Sequence, residues 1–200
     1  MDWSDVLAAP AGIQRRLAFL VWLEQRIRNV GGVSPFLVGG AAVEIYTQGG
    51  YSTGDIDLKC PEQPFASILA DVGFSRRGRV WVHPDADLWV DRVGEAPEAP
   101  YEIASNAVEL HLLGGRVRMI SPEDLVLDRL RAAVHWKDED GLLWAEAIVR
   151  SSNFMGREFD WQSVEQRLEN VAEHDALQSL MSRMGITNEP NGERVYGPNA

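Results

Sequence analysis

Between Pro10 and the pair Gly31-Gly32, Ile13, Leu17, Leu20, Val21 and Ile27 recur at helical spacing, with Arg15, Arg16, Glu24 and Arg28 at other positions. That period predicts an amphipathic helix ended by the two glycines. A short apolar run, Phe36-Leu37-Val38, follows Pro35 and stops at Gly39-Gly40, which is the pattern of a buried strand. Ala41 to Gln48 reads as a helix closed by Gly49-Gly50. In GDIDLKC the pattern switches to a period of two: Ile56 and Leu58 face one way, Asp55 and Asp57 the other. A short helix over 65–71, strands over 79–83 and 87–93 joined across Pro84-Asp85-Ala86, a loop over 94–100, and a hairpin with arms at 107–113 and 116–120 around Gly114-Gly115 complete this part.

At Ser121 the character changes. Ser121-Pro122-Glu123-Asp124 places a capping hydroxyl, a first-turn proline and two acids at the positive end of a helix dipole. Further helices are predicted over about 141–150, 160–171 and 175–184, and the last fifteen residues have little to bury. The expected architecture is α+β. Residues 1–120 form a small mixed sheet flanked by helices, with the aspartate strands at its centre. Residues 121–185 form a C-terminal helical bundle packed on that core, and 186–200 a loose tail.

Composition narrows the function. The chain has 200 residues, 45% apolar and 24% charged, which is ordinary globular composition. Its formal charge of −11 argues against non-specific binding to DNA or RNA but leaves room for a local basic groove. One cysteine, Cys60, makes neither an internal disulfide nor a zinc pattern and reads as a small core residue. The N-terminus lacks a charged-then-apolar signal, and no apolar run reaches the ~18 residues of a membrane span, so a cytoplasmic protein without membrane association is expected.

The strongest chemical signal is the order strand, Gly39-Gly40, helix, Asp55-Ile56-Asp57. A helix N-terminus behind glycines offers unpaired N–H groups to a phosphate. Two aspartates two apart on a strand project from one face, roughly 6.5–7 Å apart along the chain, and hard oxygen ligands of this kind select Mg²⁺ or Mn²⁺. On the later strand Asp87, Trp89 and Asp91 share a face, and Trp89 offers a surface for a base. Glu44 reads as surface; Trp136, Trp144 and Trp161 read as core; the scattered histidines give no ligand spacing.

FLVGGAAVEIYTQGGYSTGDIDL resembles the signature of the polymerase-beta-like nucleotidyltransferase superfamily, through Gly39, Gly40, Thr53, Asp55 and Asp57. With ISPEDLVLDRLRAAVHWKDED downstream, the resemblance is to its small prokaryotic branch related to AbiE-type toxins, over about residues 15–150. The gap from Gly40 to Asp55 is longer than usual, and Ser52 stands where relatives carry a basic residue. The resemblance implies transfer of a nucleoside monophosphate from an NTP to an acceptor hydroxyl on an RNA end, a protein or a small molecule. It implies Mg²⁺ or Mn²⁺ held by Asp55, Asp57 and a third acid, Asp91, with Asp87 the substitute. It implies nucleotide contacts by Gly39, Gly40, Ala41, Thr53, Arg129 and Lys137. Partners would be a nucleotide and either tRNA or a basic protein, within a toxin–antitoxin system. The alternative function is a catalytically weak, antitoxin-like partner-binding module.

Overall fold

The structure, a computed structural model, describes residues 1–138, 140–154, 158–188 and 194–196. The chain divides into two compact units, Met1–Ser121 and Pro122–Ala200. Among the described residues there are eight α-helices and a mixed sheet of seven strands, the α+β architecture expected.

In the first unit α1 (Trp3–Ala8) and α2 (Ile13–Asn29) lead into β1 (Phe36–Val38), α3 (Gly39–Tyr46), β2 (Ile56–Lys59) and α4 (Glu62–Asp71). Five strands follow: β3 (Ser75–Arg77), β4 (Val80–His83), β5 (Leu88–Gly94), β6 (Val108–Leu112) and β7 (Gly115–Met119). The sheet order is β3-β4-β5-β2-β1-β7-β6, so the first aspartate strand, β2, is central. β2 runs parallel to β5 and β1 parallel to β7; the remaining pairs are antiparallel.

The period-two reading of β2 is reproduced in burial. Ile56 and Leu58 are fully buried, while Asp57 is half-buried on the opposite face. Phe36, Leu37 and Val38 are all buried, as a central strand covered on both faces requires. α2 turns Phe19, Leu20, Trp22, Leu23 and Ile27 inward, and Tyr46 of α3 donates its hydroxyl to the Ile120 carbonyl at 2.8 Å. The predicted turn of the β6–β7 hairpin shifts by one residue. Leu113 and Gly114 take positive φ (51° and 72°), and Gly115 pairs with Leu112. Cys60 is buried, and burial pushes its thiol up to about 12, so it stays protonated.

In the second unit α5 (Pro122–His135) packs against α6 (Gly141–Phe154), α7 (Trp161–Glu165) and α8 (Val171–Arg183). Charged side chains tie these helices inside the bundle. Arg167 reaches the fully buried Asp124 at 2.5 Å, and His135 and Arg131 converge on buried Glu173. α7 ends at Glu165, well short of the helix predicted over 160–171. α8 starts at Val171 rather than 175, because the Asn170 side chain caps it by accepting from the Glu173 N–H. Trp161 is buried and Trp144 half-buried, but Trp136 is 74% exposed, against the expectation of a core residue. In the segment read as a loose tail, β8 (Ile186–Asn188) and β9 (Arg194–Tyr196) pair antiparallel; its other residues from 189 onward lie outside the described residues.

Candidate active site

Topology brings the acidic strands together. β2 and β5 are parallel neighbours in a register that sets Asp57 opposite Asp91, so both carboxylates leave the same face of the sheet. Asp55 lies just before β2, two residues from Asp57. On the other side of β2, Val38 of β1 pairs with Asp57, and the chain turns at once into α3. The Gly39-Gly40 pair therefore stands beside the Asp57 carboxylate.

This approach explains the glycines. Gly39 has φ +63°, and a Cβ built on it would lie 2.2 Å from Asp57 Oδ2. A Cβ on Gly40 would lie 2.8 Å from Thr53 Oγ1 and 3.3 Å from the Tyr51 ring. Gly40 donates its backbone N–H to Asp57. This donor was expected to face a phosphate; in the structure the site's own carboxylate takes it. Thr53 donates its hydroxyl to Asp55 Oδ1 at 3.2 Å. Ala41 is buried in the first turn of α3.

The carboxylates press on one another. Asp57 is raised from 3.8 to about 6, first by burial, then by the charges of Asp55 and Asp91, against lowering by Arg79 and the Gly40 N–H. Asp91 is 1% exposed. Its Oδ2 meets Arg79 Nε at 2.7 Å, and its Oδ1 is buried with no hydrogen-bond partner among the described residues. Asp87, the substitute third acid, is exposed; it lines an open cleft of about 510 Å³ with Arg16, Gly54, Asp55, Val80 and Trp89. Trp89 is half-exposed there.

Three residues were missed by the sequence reading. Glu44, expected at the surface, is 4% exposed and bonded to Arg16 of α2. The same Arg16 donates through Nη2 to the Thr53 carbonyl at 2.5 Å, so a cation from α2 reaches the loop that leads into Asp55. Nothing in the helical spacing of Arg16 marks it for this, since its partners lie 28 and 37 residues away. The other missed cation is Arg79. Arg129 and Lys137 belong to the second unit: Arg129 pairs with Asp128 on α5, and Lys137 is exposed just beyond that helix with φ 55°.

In donor chemistry the three carboxylates suit a hard divalent cation: the charges of Asp55 and Asp91 both bear on Asp57, and Asp91 keeps a buried oxygen without a donor. Among the described residues, however, no three Asp, Glu, His or Cys side chains are gathered closely enough to hold one as they stand.

The raised Asp57 fixes a pH dependence for the metal-free protein. With the native value near 6 and the unfolded value near 3.8, the folded state binds the extra proton between these limits. Stability is then highest at the acid end of the window and falls as pH rises through about 6. Urea unfolding from pH 4 to 7 in chelator should show this decline, and Asp57→Asn, which cannot ionise, should show a flatter profile. Identical slopes would mean that Asp57 is not strained.

No protein-family model and no curated protein matches the sequence. Among solved structures, the crystal structure of an antigenic nucleotidyltransferase-like protein from Paracoccidioides brasiliensis matches 88% of this chain and 89% of its own, at 13% identity and a TM-score of 0.60. The solution structure of the antibiotic-resistance factor ANT(2'')-Ia matches 92% of this chain and 96% of its own, at 17% identity and a TM-score of 0.48. No helix among the described residues is long and apolar enough to cross a membrane. Taken over most of its length, the chain has the fold of a nucleotidyltransferase-like protein.

Proposed function

We propose that the protein is a divalent-metal-dependent nucleotidyltransferase, moving an NMP from an NTP to an acceptor hydroxyl with release of pyrophosphate. The observation that carries this is the register of Asp57 opposite Asp91 on adjacent parallel strands, beside a Gly-Gly turn whose first residue leaves the space that the Asp57 carboxylate fills. Asp55, Asp57 and Asp91 would hold Mg²⁺ or Mn²⁺. When bound, the metal neutralises phosphate charge and polarises the phosphoryl oxygens. The acceptor oxygen forms a bond to the α-phosphorus, and the bond to the pyrophosphate oxygen breaks. Asp91, set opposite Asp57 on the neighbouring strand, takes the hydroxyl proton. Gly39 and Gly40 let the nucleotide approach the backbone, Thr53 fixes the Asp55 carboxylate, and Trp89 offers a face to the base. With a formal charge of −11, the surface suits a small-molecule or protein acceptor better than bare RNA. A cytoplasmic setting and a link to the AbiE-type branch belong to the same proposal.

A second reading, a partner-binding module of antitoxin type, draws on the engagement of the site with itself: the Gly40 N–H serves Asp57 and Arg79 covers Asp91.

The two readings part on metal and nucleotide. For the enzyme, millimolar Mn²⁺ with NTP should raise Tm, since a ligand at a hundredfold excess over its Kd stabilises by about 2.7 kcal/mol. Asp55→Asn should remove that shift. Incubation with α-labelled NTPs, Mn²⁺ and cell lysate should label an acceptor. An unchanged Tm together with no labelled product would leave only the binding module.

A further inference from the structure

Arg79 combines two properties that rarely coincide. Its side chain is 78% exposed, yet its Nε lies 2.7 Å from a carboxylate whose side chain is 2% exposed. It reaches Asp91 from the turn between β3 and β4, immediately before Val80, the residue that pairs with Asp91 across β4 and β5. Val80 also lines the open cleft with Asp55 and Trp89. The guanidinium therefore belongs to the residue next to a cleft-lining valine and is the counter-ion of the most buried of the three acids. Its charge is also felt by Asp57, whose carboxyl it lowers against the pull of burial and the other two acids. Asp91 in turn has an inner oxygen with no donor, so Arg79 satisfies only the outer half of the carboxylate.

We propose that Arg79 is an exchangeable counter-ion, which holds Asp91 in the metal-free protein and transfers to the phosphates of the incoming nucleotide once a divalent cation takes the carboxylates. This rests on the nucleotidyltransferase reading above and assigns Arg79 a part in it. A cation and an arginine cannot both serve Asp91 Oδ2, so metal binding releases the guanidinium. Its fixed fork of donors matches phosphate oxygens, and its place on an exposed turn leaves it free to move without disturbing the sheet. Arg79 would then oppose metal binding alone and favour nucleotide binding. A fixed charge would act alike as Arg or Lys, so the Arg79→Lys variant separates transfer of the guanidinium fork to phosphate from simple charge.

The test is calorimetric and needs no turnover. Wild type, Arg79→Gln and Arg79→Lys are titrated first with Mn²⁺ alone. They are then titrated, in saturating Mn²⁺, with the α,β-methylene analogues of the four NTPs, which bind without transfer. The side chain is mostly exposed, so both variants should fold, and circular dichroism checks this. Arg79→Gln should bind Mn²⁺ several-fold more tightly, because its competitor is gone. It should bind the best analogue about tenfold more weakly, the scale of one lost charge-assisted contact. Arg79→Lys, which keeps the charge without the fork, should fall between in both titrations. Equal or weaker Mn²⁺ binding by Arg79→Gln, or unreduced nucleotide affinity, overturns the exchange while leaving the enzyme reading intact. Wild type that binds neither Mn²⁺ nor any analogue overturns both.

Discussion

Asp57→Ala is expected to lower nucleotidyl transfer by about a thousandfold or more while the protein stays folded. Loss of one preorganised group that meets developing charge costs on the order of 10²–10³ in rate, and a carboxylate in the metal-holding role proposed for Asp57 belongs at or above the top of that range. Asp57 is central in the literal sense. It lies on the middle strand, coupled to Asp55 on its own chain segment and to Asp91 across β5, and it takes the Gly40 N–H. Folding should not suffer, because burial and two neighbouring negative charges already work against this carboxylate, and removing it relieves both. Metal-free Asp57→Ala should melt at or slightly above the wild-type temperature near pH 8. The comparison is initial transfer to an identified acceptor at equal folded concentration, with Asp71→Ala, an exposed acid at the end of α4, as the charge-matched control. Retention of more than about a tenth of wild-type activity would remove Asp57 from the machinery.

The backbone of this site was readable from residue pattern because it depends on local periodicity. The apolar run 36–38, its stop at Gly39-Gly40 and the alternation at 55–58 all lie within one or two elements. The pairing of Asp57 with Asp91 depends on a parallel crossover, which periodicity does not encode; there the family resemblance supplied what the pattern lacked. The missed elements had weak local signals. β3 is exposed at all three residues and exists by pairing with β4 at the sheet edge. α1 is six residues long and is held by Trp3 against Trp22, with ring centroids 4.9 Å apart. Arg16, Glu44 and Arg79 took on their positions through contacts between separate elements, which a helical wheel or strand pattern does not show. The start of α8 was different: Asn170 followed by Glu173 is a capping signal in the sequence itself.

Gly39→Ala should damage both stability and catalysis, and through one cause. The left-handed φ of +63° costs a non-glycine residue about 1 kcal/mol or more. The new methyl would also stand 2.2 Å from Asp57 Oδ2, 3.0 Å from its Cγ and 3.1 Å from its Cβ. Because the whole short side chain is crowded, the carboxylate cannot escape by a small rotation of its tip. Either Asp57 leaves its position or the start of α3 shifts, and the total loss should be about 2–4 kcal/mol in urea unfolding. Transfer should fall by about a hundredfold even at temperatures where the variant is folded, since an ångström-scale misplacement of a positioning group has that cost. Gly40→Ala should be milder: its φ is not left-handed, and the nearest atom is a rotatable threonine hydroxyl at 2.8 Å. The double variant Gly39→Ala/Asp57→Ala isolates the clash. Removing the carboxylate should recover part of the lost stability, leaving the φ strain and the 3.1 Å contact, so the two substitutions should couple favourably by about 1 kcal/mol or more. Simple additivity would mean that Gly39 is required for its backbone angle alone, and that the close approach of the glycine turn to Asp57 does not constrain the site.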